Sequence, residues 1–220
     1  MNALNRLFCF SVGFTALLIA ARVLRTGDHQ YVFLLWNLFL AWIPLFLSTL
    51  LQRKLSRFQQ AIVFGSWLLF FPNALYLVTD LVHLRDELDI PGWYDIILVF
   101  SAVMNGLMLA YTSMVKIERY LNLSVKRGRT DLILFSCFSV SSFGVYLGRV
   151  LRFNSWTIFV HPFGIYRQVY SQLANPLGHI QTWGMTATLS MFFTLFYFII
   201  KRLPRLLEND MENQKENILQ

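Results

Sequence analysis

Six stretches of about twenty apolar residues, separated by polar joints, dictate what this chain can become. They cover residues 7–24, 31–51, 61–78, 94–115, 132–151 and 180–200. A hydrocarbon core of about 30 Å is crossed by roughly 20 apolar residues in helical form. Helix is the natural state there, because lipid offers no partner to an unpaired backbone group. Composition points the same way. Hydrophobic residues make up 56% of the chain and charged residues 14%, against about 45–50% and about 25% in ordinary globular proteins. A small globule cannot bury so much apolar surface. The same numbers exclude intrinsic disorder, and two cysteines exclude a disulfide scaffold. The expected fold class is all-α: an integral membrane bundle of about six transmembrane helices over residues 1–207, with a polar tail over 208–220. The first stretch reads as an uncleaved helix, since Ala20-Ala21-Arg22 is a poor signal-peptidase site.

Orientation follows from the basic residues. If the N-terminus is cytoplasmic, most Lys and Arg, including every lysine, fall on the cytoplasmic side. Both termini are then cytoplasmic. The net charge of +7 is explained by an anionic leaflet, so nucleic acid is not an expected partner. The two long outer segments, 79–93 and 152–179, hold most of the unusual residues. The second is rich in Trp, Phe and Tyr and is expected to lie along the interface.

Polar side chains recur on single faces of three of the helices. At about 100° per residue, Asn73, Tyr76, Asp80 and His83 fall within about 80° of one another. Ser139, Ser142, Tyr146 and Arg149 do the same on the fifth helix, and Tyr94, Ser101, Asn105 and Thr112 on the fourth. Unpaired polar groups in hydrocarbon cost several kcal/mol. The three stripes are therefore expected to face one another and form a polar crevice open to the outside. Asn105 lies about 16 Å below the outer end of its helix, near the midplane. Pro72 withholds a backbone hydrogen bond next to Asn73. Asp80 and Arg149 sit at one depth and can pair. Intramembrane ionisable residues are functional candidates, although a pair that merely locks two helices explains them equally well.

Asp80 can orient His83 as a general base. The i, i+3 spacing also allows both to ligate one metal, with His161 or His179 completing a zinc site. That spacing lacks the specificity of His-Glu-x-x-His, so no metal is assigned. Neither a nucleophile motif nor a phosphate loop or dinucleotide fingerprint is present, and the cofactor is left open. Cys9 and Cys137 read as packing residues. The ligand-binding candidates are Asn73, Tyr76, Asn105, Arg149, Arg152 and Asn154.

The runs Phe71-Pro72-Asn73-Ala74-Leu75-Tyr76, Thr79-Asp80-Leu81-Val82-His83-Leu84, Trp93-Tyr94-Asp95 and Asn105-Gly106 occur in that order. They are followed by Gly144-Val145-Tyr146-Leu147-Gly148-Arg149-Val150-Leu151-Arg152-Phe153-Asn154-Ser155-Trp156. Together they resemble a family of bacterial membrane proteins catalogued as domain of unknown function 1361, over roughly residues 35 to 200. The resemblance implies a protein of the bacterial cytoplasmic membrane and carries over no catalytic residue.

Three function classes remain open. One is an accessory protein that serves a membrane partner through its outer loops. Another is an outer-leaflet enzyme acting on a lipid or cell-envelope substrate, with Asp80 and His83 moving protons and Arg149 and Arg152 holding an anionic group. The third is a transporter or binder of a small molecule, lined by Asn73, Tyr76, Asn105 and Arg149. The bilayer is the common partner; a lipid or small anionic ligand is the second.

Overall fold

A computed structural model describes residues 3–84, 91–123, 126–153, 160 and 162–219, with backbone alone at 3, 4, 83, 127, 162 and 205–219. Among the described residues the chain forms seven α-helices. They are α1 (Ala3–Thr26), α2 (Phe33–Leu50), α3 (Arg57–Tyr76), α4 (Gly92–Asn122), α5 (Arg127–Arg149), α6 (Pro162–Ala174) and α7 (Ile180–Leu219). Two 3-10 segments, Leu77–His83 and Leu177–His179, complete them. All except α6 are long and apolar enough to cross a membrane. Outward-facing Phe10, Leu17 and Phe46 are each more than 60% exposed, as expected where the solvent is lipid. The protein is a multi-pass integral membrane protein.

Local chemistry sets the ends of the helices. Gly27 closes α1 in the left-handed region (φ +71°), its N–H donating to Val23 O at 2.8 Å, which is the work a C-terminal glycine does. Ser56 opens α3 with a capping box. Its hydroxyl accepts from the Gln59 N–H, and its own N–H donates to Gln59 Oε1. Pro91 precedes α4, and Tyr94 N–H donates back to its carbonyl. Pro72 lies inside α3 and leaves the carbonyl of Leu68 without its helical donor. Four residues later the α-helix gives way to the tighter 3-10 turns.

Helix α4 occupies the centre, packing against α1, α2, α3 and α5, while α7 packs on α5. It runs past the expected 94–115 because Ile117, Glu118 and Leu121 continue its buried face. Likewise α7 continues helically through Pro204 into the tail. An aromatic chain ties the middle together. Trp67 stacks on Phe71 (centroids 4.6 Å), Phe71 meets Phe138, and Phe138 meets Tyr197. Trp67 is wholly buried, and its indole N–H donates to Ser113 Oγ at 2.7 Å, which in turn donates to Pro44 O. A buried indole needs such a partner, and this one joins α2, α3 and α4.

Candidate functional site

Among the described residues, Asp80, Arg149 and Asn105 do not converge on one crevice. Several of the buried polar side chains fall instead into separate knots between particular helices. The first lies where α3 and α5 end. Asp80 is fully buried. Its Oδ1 accepts from Arg149 Nη1 at 3.2 Å and its Oδ2 from Asn37 Nδ2 at 3.0 Å. Arg149 Nη1 also donates to the Tyr76 hydroxyl at 3.0 Å, and Nη2 donates to the Thr79 carbonyl. The guanidinium lies 5.1 Å from the Tyr76 ring centroid, a cation–π distance. Asp80, Tyr76 and Arg149 are thus brought together, and Asn37 of α2 joins them.

Close approach of α3 and α5 makes this possible. A Cβ on Gly144 would sit 2.8 Å from Pro72 Cγ, and one on Gly148 would sit 3.3 Å from Tyr76 Cε2. Pro72 and Tyr76 are one turn apart on α3, as Gly144 and Gly148 are on α5. Small residues at this spacing let two helices meet across lipid.

Asn105 corrects the expectation. It is buried, but its amide faces α1, donating to Thr15 Oγ1 (3.0 Å), Ser101 O (3.0 Å) and Ser11 O (3.3 Å). Thr15 and Ser101 hydroxyls also meet at 3.0 Å. The α4 stripe therefore faces α1 instead of the α3 and α5 stripes. The reason is that Gly106, the next residue, takes the α3 side. A Cβ there would lie 2.5 Å from Leu77 Cδ1 and 2.9 Å from Ala74 O.

The knot between α1 and α4 was not expected. Arg22, 1% exposed, donates to both carboxylate oxygens of Asp95, at 2.9 and 3.3 Å. It also pairs with Asp28 at 3.0 Å and lies 4.5 Å from the Tyr31 ring centroid. The Arg22 guanidinium holds the Asp28 carboxyl below the usual carboxylate range. At the opposite end of the bundle, Glu118 accepts from the Tyr197 hydroxyl at 2.7 Å and pairs with Lys201, fastening α7 to α4. In sequence, an Arg in the last turn of one apolar stretch and an Asp in the first turn of another, at the same membrane face, were the available signal.

Other candidates fall elsewhere. Asn73 Nδ2 donates to Phe70 O at 2.9 Å, one turn back on α3. Arg152 is exposed and left-handed (φ 58°), so that the chain folds back and Phe153 N–H reaches Leu147 O. His179 Nε2 lies 3.2 Å from Ser171 Oγ, at the corner between α6 and α7. The His83 side chain, and Asn154 and His161 entirely, lie outside the described residues, as does the acidic run Asp86, Glu87 and Asp89.

Beside the α3–α5 contact lies a groove of about 350 Å³. Gly65, Leu68, Pro72, Phe143, Gly144 and Leu147 form its walls, while Phe153, just past α5, and Ile165 of α6 also line it. Above it, α6 turns an unusual face outward. Gln172 is buried, accepting from the Thr182 hydroxyl at 2.6 Å. Phe163, Tyr166, Tyr170 and Leu173, on the other side, are all exposed.

No curated protein and no solved structure matches the chain. Residues 36–200 match the family described as Protein of unknown function (DUF1361). That span holds the Asp80–Arg149 knot, the glycine contacts that allow it, and the groove beside it, and by this match the chain belongs to that family.

Proposed function

We propose that the protein is an accessory component of a bacterial cytoplasmic membrane. Both termini are cytoplasmic, and the Asp80 end, with α6, is presented on the outer side to a membrane-embedded protein partner. The polarity of α6 carries this reading. Its inner side is tied by polar bonds, Gln172 to Thr182 and Ser171 to His179. Its outer side shows Phe163, Tyr166, Tyr170 and Leu173 at 57% exposure or more. A helix resting against water has the opposite arrangement. An exposed aromatic stripe calls for an apolar cover, and aromatic residues are enriched where proteins meet.

The knots support a structural use of the intramembrane charges. Both Asp80 oxygens are engaged, which leaves proton transfer through Asp80 and His83 with less support. Asn105 sits in the α1–α4 seam, which weakens a transport path along it. The groove favours a second reading, in which it holds an acyl chain of an anionic lipid whose headgroup meets Arg152.

A photo-crosslinking residue at position 166 separates these. On the accessory reading it yields one discrete protein adduct in native membranes. The variant Phe163→Ser/Tyr166→Ser/Tyr170→Ser then remains as abundant as wild type yet fails to complement a deletion strain. Adducts to lipid alone move the conclusion to the second reading. Loss of function in Asp80→Asn at full abundance, with the triple variant active, overturns both in favour of an enzyme.

A further inference from the structure

At the opposite, basic end of the bundle, α2 closes in a turn in which Arg53 N–H donates to Leu50 O. The chain then passes through Lys54 into the capped start of α3, and the last turns of α4 run alongside. Four side-chain bonds brace this corner. Gln52 Nε2 donates to Lys116 O at 2.8 Å, and Lys116 Nζ to Thr49 Oγ1 at 2.6 Å. The Tyr120 hydroxyl donates to Gln60 Oε1 at 3.0 Å, and Gln60 Nε2 to Leu55 O at 3.0 Å. Between them lies a pocket of about 220 Å³ whose lining, among the described residues, includes Arg53, Lys54, Gln60, Tyr120 and Leu123 and no carboxylate.

Two properties of this lining matter. Arg53 and Lys54 are adjacent cations, and among the described residues neither forms an ion pair. Adjacent like charges repel, and an anion between them relieves the repulsion. Leu123, in the same wall, is 85% exposed. An exposed leucine beside two cations, at the ends of membrane-spanning helices, matches a molecule that is anionic on one side and apolar on the other.

We propose that this pocket binds the phosphate of an anionic phospholipid from the adjacent leaflet. Arg53 offers the planar fork that grips phosphate oxygens in pairs. Lys54 adds a mobile point charge. Leu123 lies against the upper acyl chain. Basic pockets between spanning helices are suited to such headgroups. This site is independent of the reading of α6, which concerns the other end of the molecule.

Native mass spectrometry of the full chain in detergent, with phosphatidylglycerol or phosphatidylcholine added, tests it. Wild-type protein is expected to retain phosphatidylglycerol over phosphatidylcholine. Arg53→Gln/Lys54→Gln should lower the apparent affinity for phosphatidylglycerol roughly thirtyfold, the scale expected for losing two headgroup cations. Arg129→Gln, on the same basic end but outside the pocket lining, should leave it unchanged. Both variants alter exposed side chains, so melting temperature should match wild type. Equal retention of the two lipids, or an equal loss in Arg129→Gln, overturns the proposal. So does full displacement of the lipid by inorganic phosphate, which would make the ligand a free anion.

Discussion

An arginine paired with a buried carboxylate repays the pair's desolvation only when its donors and the facing lone pairs are engaged. Arg149 meets that condition through Asp80, Tyr76 and Thr79, and Arg22 through Asp95 and Asp28. Arg149→Ala is therefore expected to destabilise the protein by about 3 kcal/mol, because it strands Asp80 without its countercharge. Arg22→Ala should match it, and thermal unfolding in detergent measures both. Arg149→Lys should not restore stability, since an ammonium cannot reproduce the planar fork. Asp28 adds a pH dependence. Its folded carboxyl is held below the usual 3.8 by Arg22, so its contribution is present at neutral pH. That contribution is lost as pH falls through the lowered folded value; Asp28→Asn should flatten the acid side of a melting-against-pH curve. Arg152 carries a left-handed backbone that costs an ordinary residue roughly 1 kcal/mol or more. Arg152→Gly should leave the protein at least as stable, and a fall in lipid retention alone would show that the guanidinium serves a ligand. Asp80 and Arg149 were legible in the sequence because each is the charged end of a polar helical face. Arg22 and Asp95 were not, since each has a sufficient local reason for its position: a basic residue flanking a span, and an acid in a helix's first turn.

At the scale of elements, the short motifs turn out to record how closely helices approach. Gly144 and Gly148 let α5 lie on Pro72 and Tyr76, and Gly106 lets α4 lie on the end of α3. Gly144→Ala should cost about 1–3 kcal/mol, the usual penalty of overpacking. Gly65→Ala, with nothing within 4 Å of the added atom, should be tolerated. Their ratio of melting shifts checks the contact directly. Ser56→Ala should remove about 1 kcal/mol from α3 by opening its capping box. The six spanning helices were legible from apolar run length; α6, which is short and amphipathic, was expected only as a segment along the interface. The ends were less so, because α4 and α7 extend beyond the apolar stretch on amphipathic turns that length alone does not detect. The faces of the stripes were legible from the helical period, but their neighbours were not. A period of 3.6 says which side chains align and nothing about which helix lies opposite, which is why Asn105 was expected against α3 and α5.

Across the whole molecule, the charged knots sit toward the two ends of the spanning helices and the aromatic chain fills the middle. Six spans, taken with the Lys and Arg bias, predict that reporter fusions at residues 1 and 220 both register as cytoplasmic; opposite signals from the two ends would require a different count of crossings. The central place of α4 has a further consequence, for how the protein is made. During synthesis, α1, α2 and α3 leave the ribosome before the helix they all pack against has been translated. Arg22 enters the bilayer without Asp95, and Asp80 enters without Arg149, which comes later still. A nascent chain halted before residue 92 would therefore hold Asp80 without its Arg149 partner, and Arg22 with only Asp28 of its two carboxylates. The insertion machinery must shelter the early spans until α4 and α5 arrive.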